Sequence, residues 1–185
     1  MRRGLAILAA AAVTAMAVPQ VAVAEERVCR GTIGAKTLDN IKVPSGATCT
    51  LKGTKAKGTI KVNKGARLEA IHIRVVGNVQ GENARNVIVR KNSRVGGSVQ
   101  VVQGKKAKVA YSNVNGDILY DDQSGEVIVR GNTVGGNVQA FQNTGGVRIR
   151  GNDIDGNLQC KENKPAPTGG NNRVQGNKED QCKKL

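Results

Sequence analysis

Apolar and polar residues alternate along this chain in short runs, and the runs recur at intervals of about twenty positions. Arg130-Gly-Asn-Thr-Val-Gly-Gly-Asn-Val-Gln is followed by Arg150-Gly-Asn-Asp-Ile-Asp-Gly-Asn-Leu-Gln. The glycine that precedes the last three residues of this motif recurs as Gly58, Gly77, Gly97, Gly116, Gly136, Gly156 and Gly176, in steps of 19 or 20. Around it the apolar residues fall two apart, which is the period of a strand. Nine and seven positions before it stand Leu68/Ala70, Ala107/Val109, Val127/Val129 and Val147/Ile149, with Val87/Val89 displaced by one. Two before it stand Val75, Val95, Val114, Val134, Ile154 and Val174. Two and four after it stand Ile60/Val62, Val99/Val101, Ile118/Tyr120, Val138/Ala140 and Leu158/Cys160. The pattern predicts about three short strands per repeat, joined at Gly and Asn turns. A repeat this small buries its apolar face only by stacking on its neighbours.

Three strands per coil describe a parallel β-helix. Over roughly residues 50 to 177 the repeat pattern resembles that of right-handed parallel β-helix proteins of bacterial secretions, the pectate-lyase-like solenoids. No functional signature of any one family accompanies it. The expected fold is therefore all-β, a right-handed solenoid of about seven rungs. A left-handed hexapeptide helix would require a six-residue subperiod that is missing, and a β-sandwich would not repeat its strands in register. The recurring glycines read as corners needing permissive backbone angles. A phosphate loop is not implied, because no Lys-Ser or Lys-Thr follows Gly96-Gly97 or Gly135-Gly136. Asn92, Asn132, Asn152 and Asn172 recur at one corner and predict a ladder of stacked amides.

Residues 1–24 have the parts of a secretory signal: Arg2 and Arg3, an apolar run from Leu5, and small residues up to Ala24. Residues 25–185 are then expected to form a single exported domain. Its four cysteines lie near its ends, Cys29 with Cys49 and Cys160 with Cys182. Rungs stack about 4.8 Å apart, so cysteines about one coil apart reach each other while the first and last do not. The expected pairs are Cys29–Cys49 and Cys160–Cys182, which tie the ends in an oxidising compartment. Spaced this way, and with His72 the sole histidine, they do not suggest a metal site.

Without Arg2 and Arg3 the chain holds 27 Lys and Arg against 14 Asp and Glu. That excess favours polyanionic neighbours, and for an exported protein these are acidic polysaccharides or cell-wall polymers. Tyr111, Tyr120 and Phe141 are the only aromatic residues, too few to stack successive bases, which disfavours nucleic acid. Stacking turns each outward position into a column. Gln80, Gln100, Gln139 and Gln159 form one, interrupted by Leu119. Arg90, Arg130 and Arg150 form another, interrupted by Ala110, with Lys108 and Arg148 on the same strand. These five cations are the candidate binding residues. Like charges one rung apart repel by about 1 kcal/mol even in water-like dielectric, so such a row welcomes an anion. The same row also reads as a solvated by-product of repeat duplication.

Chemistry is less well supported. Polysaccharide lyases and hydrolases need clustered carboxylates, and the clusters here are Asp117 with Asp121 and Asp122, and Asp153 with Asp155. Asp121 and Asp122 would carry such a reaction, although "YDDQSG" reads equally as a solvated turn. No cofactor is implied. The expected protein is a secreted, monomeric, non-catalytic solenoid that binds an anionic polymer. A glycan-cleaving enzyme and a structural protein assembling end to end are the alternatives.

Overall fold

The computed structural model describes residues 25–185, which wind into a parallel β-solenoid of about eight turns with no helix among them. The expected signal segment lies outside the described residues. Each turn contributes one strand to each of three sheets. The first sheet has nine strands, from Glu26–Val28 through Val79–Glu82, Ile118–Asp121 and Leu158–Lys161 to Lys178–Asp180. The second has eight, among them Arg67–Ile71, Asn86–Arg90, Lys106–Ala110 and Val147–Arg150. The third consists of short strands such as Arg74–Val75, Arg94–Val95 and Thr133–Val134.

The period-two pattern sets the inside. Val99, Val101, Val127, Val129, Val134 and their equivalents are buried, and the residues between them face out. Registers keep like above like: Val87 pairs with Leu68 and Ala107, and Val89 with Ala70 and Val109. The one-residue displacement of Val87/Val89 is therefore absorbed after the strand. There Lys91 and Asn92 both take positive φ (58° and 55°), where neighbouring turns use a single such residue, His72 or Tyr111. Inward residues of different size share a column: Gly81, Val101, Tyr120 and Ala140 stand in successive rungs. A Cβ on Gly81 would lie 2.8 Å from Val87 Cγ2, so the interior there is full.

Turn counting from the glycine repeat misses the first coil. Arg27 pairs with Ile41, only 14 residues on, whereas Ile41 pairs with Ile60, 19 on. That coil is closed by Cys29–Cys49 (Cα–Cα 5.6 Å), and the last by Cys160–Cys182 (Cα–Cα 5.2 Å), as the spacing predicts.

The corners correct two expectations. Among the recurring glycines none has positive φ. Their need is for space: a Cβ on Gly77 would sit 2.8 Å from Gly58 O, and one on Gly156 would sit 2.6 Å from Asn137 Oδ1. That space holds a ladder. Asn78 Oδ1 accepts from Ser98 N, Ser98 Oγ from Asp117 N, Asp117 Oδ1 from Asn137 N, and Asn137 Oδ1 from Asn157 N, over 2.7–3.0 Å. The predicted asparagine ladder is present at a second corner, but with a different membership. Asn132, Asn152 and Asn172 are buried, and the amides of Ser112, Asn132 and Asn152 donate to the side-chain oxygens of the next rung at 3.0 Å. Ser93, not Asn92, holds the equivalent place, its Oγ accepting from Ile73 N; Asn92 is exposed. A third ladder of Gln123, Asn143, Asn163 and Gln181 runs up the remaining corner. These ladders satisfy backbone N–H groups that the turns would otherwise leave buried without partners.

Candidate binding faces

The outward columns are those the spacing predicts. On the second sheet Arg90, Ala110, Arg130 and Arg150 stand in successive rungs, and Lys108 and Arg148 share the neighbouring column with Ile88 and Ile128. The cations are not equivalent. Arg90 is half-buried and held by Glu69 from the rung below, its Nε and Nη2 donating at 2.9 and 2.6 Å. The Arg130 guanidinium lies 5.5 Å from the Tyr111 ring centroid, and Arg148 stands 4.0 Å from Glu126. Lys108 and Arg150 form no ion pair among the described residues. Lys108 is enclosed above and below by Ile88 and Ile128, which isolates it within its column. The arginine row is thus a broken track: one neutralised cation, a gap at Ala110, then the adjacent pair Arg130 and Arg150.

Other basic columns escape a reading centred on arginine repeats. Residues 25–110 hold 18 Lys and Arg against 5 Asp and Glu, a balance of +13; residues 111–185 hold 9 of each. The whole excess sits in the first half of the described chain. At the corner between the first and second sheets, Lys64, Arg85 and Lys105 surround an open groove of about 500 Å³ floored by Gly65 and Gly104. On the third sheet Lys55, Arg74 and Arg94 stack in successive rungs. No carboxylate pairs with any of these six cations among the described residues. Alignment of the corner residues rung by rung exposes the first group, and the register of the third-sheet strands the second.

The glutamine column is real and longer than the repeat suggests. Gln80 donates to Gln100 (3.4 Å), Gln139 to Gln159 (2.8 Å) and Gln159 to Glu179 (2.8 Å). Lys42 and Lys61 continue it below.

Asp121 ends a first-sheet strand beside Phe141, and Asp122 follows at the corner with φ 55°. Burial and then repulsion from Asp122 push the Asp121 carboxyl above the ordinary carboxylate range, partly offset by a backbone hydrogen bond. Its Oδ1 is buried without a hydrogen-bond partner. Phe141, Gln142, Lys161 and Glu162 complete an open groove of about 290 Å³ around it. Among the described residues no group of three or more His, Cys, Asp and Glu could hold a metal ion.

No helix among the described residues is long and apolar enough to cross a membrane, and two disulfides are compatible with an extracellular protein. Comparison with protein-family models, with curated proteins and with solved structures yields no match. The chain is a parallel β-solenoid of stacked coils, and no pectate-lyase-like or other family is assigned to it.

Proposed function

We propose that this protein is a non-catalytic, extracellular or envelope-associated β-solenoid that binds an anionic polysaccharide or cell-wall polymer through its basic columns. The observation that carries this reading is the placement of the entire +13 excess in residues 25–110, with cations stacked one rung apart and largely without carboxylate partners. Columns of like charge at about 4.8 Å intervals are self-repelling, and a linear polyanion relieves that repulsion along its length. Binding of this kind is multivalent and falls as salt rises.

Retention on immobilised polygalacturonate and on an anionic wall preparation, compared at low and high salt, tests the proposal. Retention is expected at low salt and loss at high salt, with weaker retention of Arg130→Ala/Arg150→Ala and of Arg85→Ala/Lys105→Ala. Flow-through of the parent protein at low salt, or unchanged elution of both double variants, would refute it.

A second reading rests on Asp121, whose raised pKa and unpartnered oxygen in a groove are marks of an acid catalyst. It predicts release of reducing ends or unsaturated products from acidic glycans by the parent and not by Asp121→Asn. No turnover across a broad substrate panel would remove it.

A further inference from the structure

The described residues contain one exposed aromatic side chain with an unusual backbone. Tyr111 is 51% exposed and has φ 51°, in the left-handed region that bulky residues avoid. The two turns that follow place Gly131 and Gly151 at this corner, both with positive φ. Other rungs fill this corner with Gly53, His72, Asn92 or Asn171, all at positive φ, whereas here the chain carries a tyrosine. A Cβ on Gly131 would lie 2.8 Å from Tyr111 Cδ1 and 2.9 Å from Cε1, so the absence of that side chain makes room for this edge of the ring. The Arg130 guanidinium stands 5.5 Å from the ring centroid. Beside the ring is an open groove of about 440 Å³, lined further by Arg94, Asn92, Asn113 and Thr133 and by no carboxylate. Arg94 is also the top of the unpaired third-sheet column Lys55, Arg74, Arg94.

We infer that Tyr111, Arg94 and Arg130 form a subsite for one anionic pyranose unit, carboxylated or sulfated, of a chain that runs along Lys55 and Arg74. The inference deepens the polyanion reading and rests on it. A flat aromatic ring offers a face to the C–H surface of a sugar. The two guanidiniums supply charge-assisted donors for its anionic group, and Asn113 and Thr133 supply neutral partners for its hydroxyls. A single ring cannot stack successive bases, so an oligonucleotide fits the groove poorly.

Isothermal titration of the parent and of Tyr111→Gly, Tyr111→Phe and Arg94→Ala tests this, using oligogalacturonate, sulfated galactan oligosaccharide and neutral galactan oligosaccharide. Arg148→Ala/Arg150→Ala, which leaves the groove intact, reports on the arginine track separately. The parent is expected to bind one or both charged oligosaccharides and not the neutral one. Tyr111→Gly is expected to weaken binding at least tenfold with a melting temperature equal to or above that of the parent, since glycine relieves the φ strain. Arg94→Ala is expected to lose a similar factor, and Tyr111→Phe to stay within about threefold. Unchanged affinity in Tyr111→Gly, equal binding of the neutral oligosaccharide, or preference for oligo-dT over all three would overturn the inference. So would a fall of melting temperature in Tyr111→Gly, which would make the ring a packing element. Failure of the parent to bind either charged ligand would overturn the polyanion reading as well, whereas a charge-selective parent with an indifferent Tyr111→Gly would sink the subsite alone.

Discussion

Replacing Asn152 by Ala removes the centre of one corner ladder. Asn152 is 2% exposed. Its Nδ2 donates to Val129 O at 3.0 Å and to Asn172 Oδ1 at 2.9 Å, and its Oδ1 accepts from Asn132 N and Asn132 Nδ2, each at 3.0 Å. Alanine leaves the buried Asn132 backbone N–H and one of the two Asn132 Nδ2 hydrogens without an acceptor, the other still donating to Val109 O. An orphaned buried group costs about 1–3 kcal/mol, so the expected loss is about 3–5 kcal/mol, a large part of the roughly 5–15 kcal/mol typical of a domain. Asn92→Ala is the control: Asn92 is exposed and outside the ladder, so its loss is confined to the strain of alanine at φ 55°, about 1 kcal/mol. Urea unfolding followed by far-ultraviolet circular dichroism, with disulfides intact, measures both. Because coupling in a solenoid runs mainly between neighbouring rungs, the Asn152→Ala transition is also expected to broaden. A loss below about 1 kcal/mol, or one equal to that of Asn92→Ala, would show that the ladder hydrogen bonds do not carry this stability.

Three other perturbations follow from buried groups and from the ends. Tyr120 is fully buried, its hydroxyl has no partner, and burial drives its pKa strongly upward; Tyr120→Phe is expected to stabilise by about 1 kcal/mol in the same urea assay, and a loss of stability would show that the hydroxyl is satisfied. Asp121 has a folded-state pKa above its ordinary value, so its protonated form stabilises the fold at low pH and that contribution disappears as pH rises through the raised pKa. Asp121→Asn should therefore melt above the parent at neutral pH, with the gain shrinking as pH falls through the raised pKa and gone below the ordinary carboxylate range; a gain constant with pH would contradict this. Cys29→Ala/Cys49→Ala removes a link worth about 3 kcal/mol for a loop of this size and uncovers the first strands. Hydrogen exchange should then quicken in residues 26–52 and leave the central rungs protected, and light scattering should detect association through the freed edges. Uniform loss of protection would mean that the ends do not unfold independently.

Much of the architecture was legible because a solenoid writes its geometry as a period. Inward pairs such as Val127/Val129 and Val147/Ile149 could be aligned by counting, and the disulfides followed from one-coil spacing. Where chemistry replaced identity, counting by residue type misled. Asn92 looks like a member of the asparagine ladder, but four positions before its glycine stands Ser93, and a serine hydroxyl does the same work. The ladder running from Asn78 to Asn157 passes through Ser98 and Asp117, so any short oxygen-bearing side chain serves there. The recurring glycines were placed correctly, but their cause was not backbone angle. A side-chain oxygen from the rung below occupies the space of a Cβ, which only stacked coordinates reveal. The arginine column was legible, but its partners were not: Glu69 reaches Arg90 from a neighbouring column, and Tyr111 meets Arg130 across a corner. Such diagonal contacts depend on side-chain reach, which periodicity does not encode.

Stacking of the coils in register is read out by spin-label distances along one outward column. Lys61, Gln139, Gln159 and Glu179 stand in a single first-sheet column. Labels at Lys61 paired in turn with Gln139, Gln159 and Glu179 span four, five and six rungs. At about 4.8 Å per rung, the backbone separations should rise linearly through about 19, 24 and 29 Å. Distances that fail to increase by one rung spacing per repeat, or that are broad and indistinguishable among the three pairs, would contradict the stacked coil.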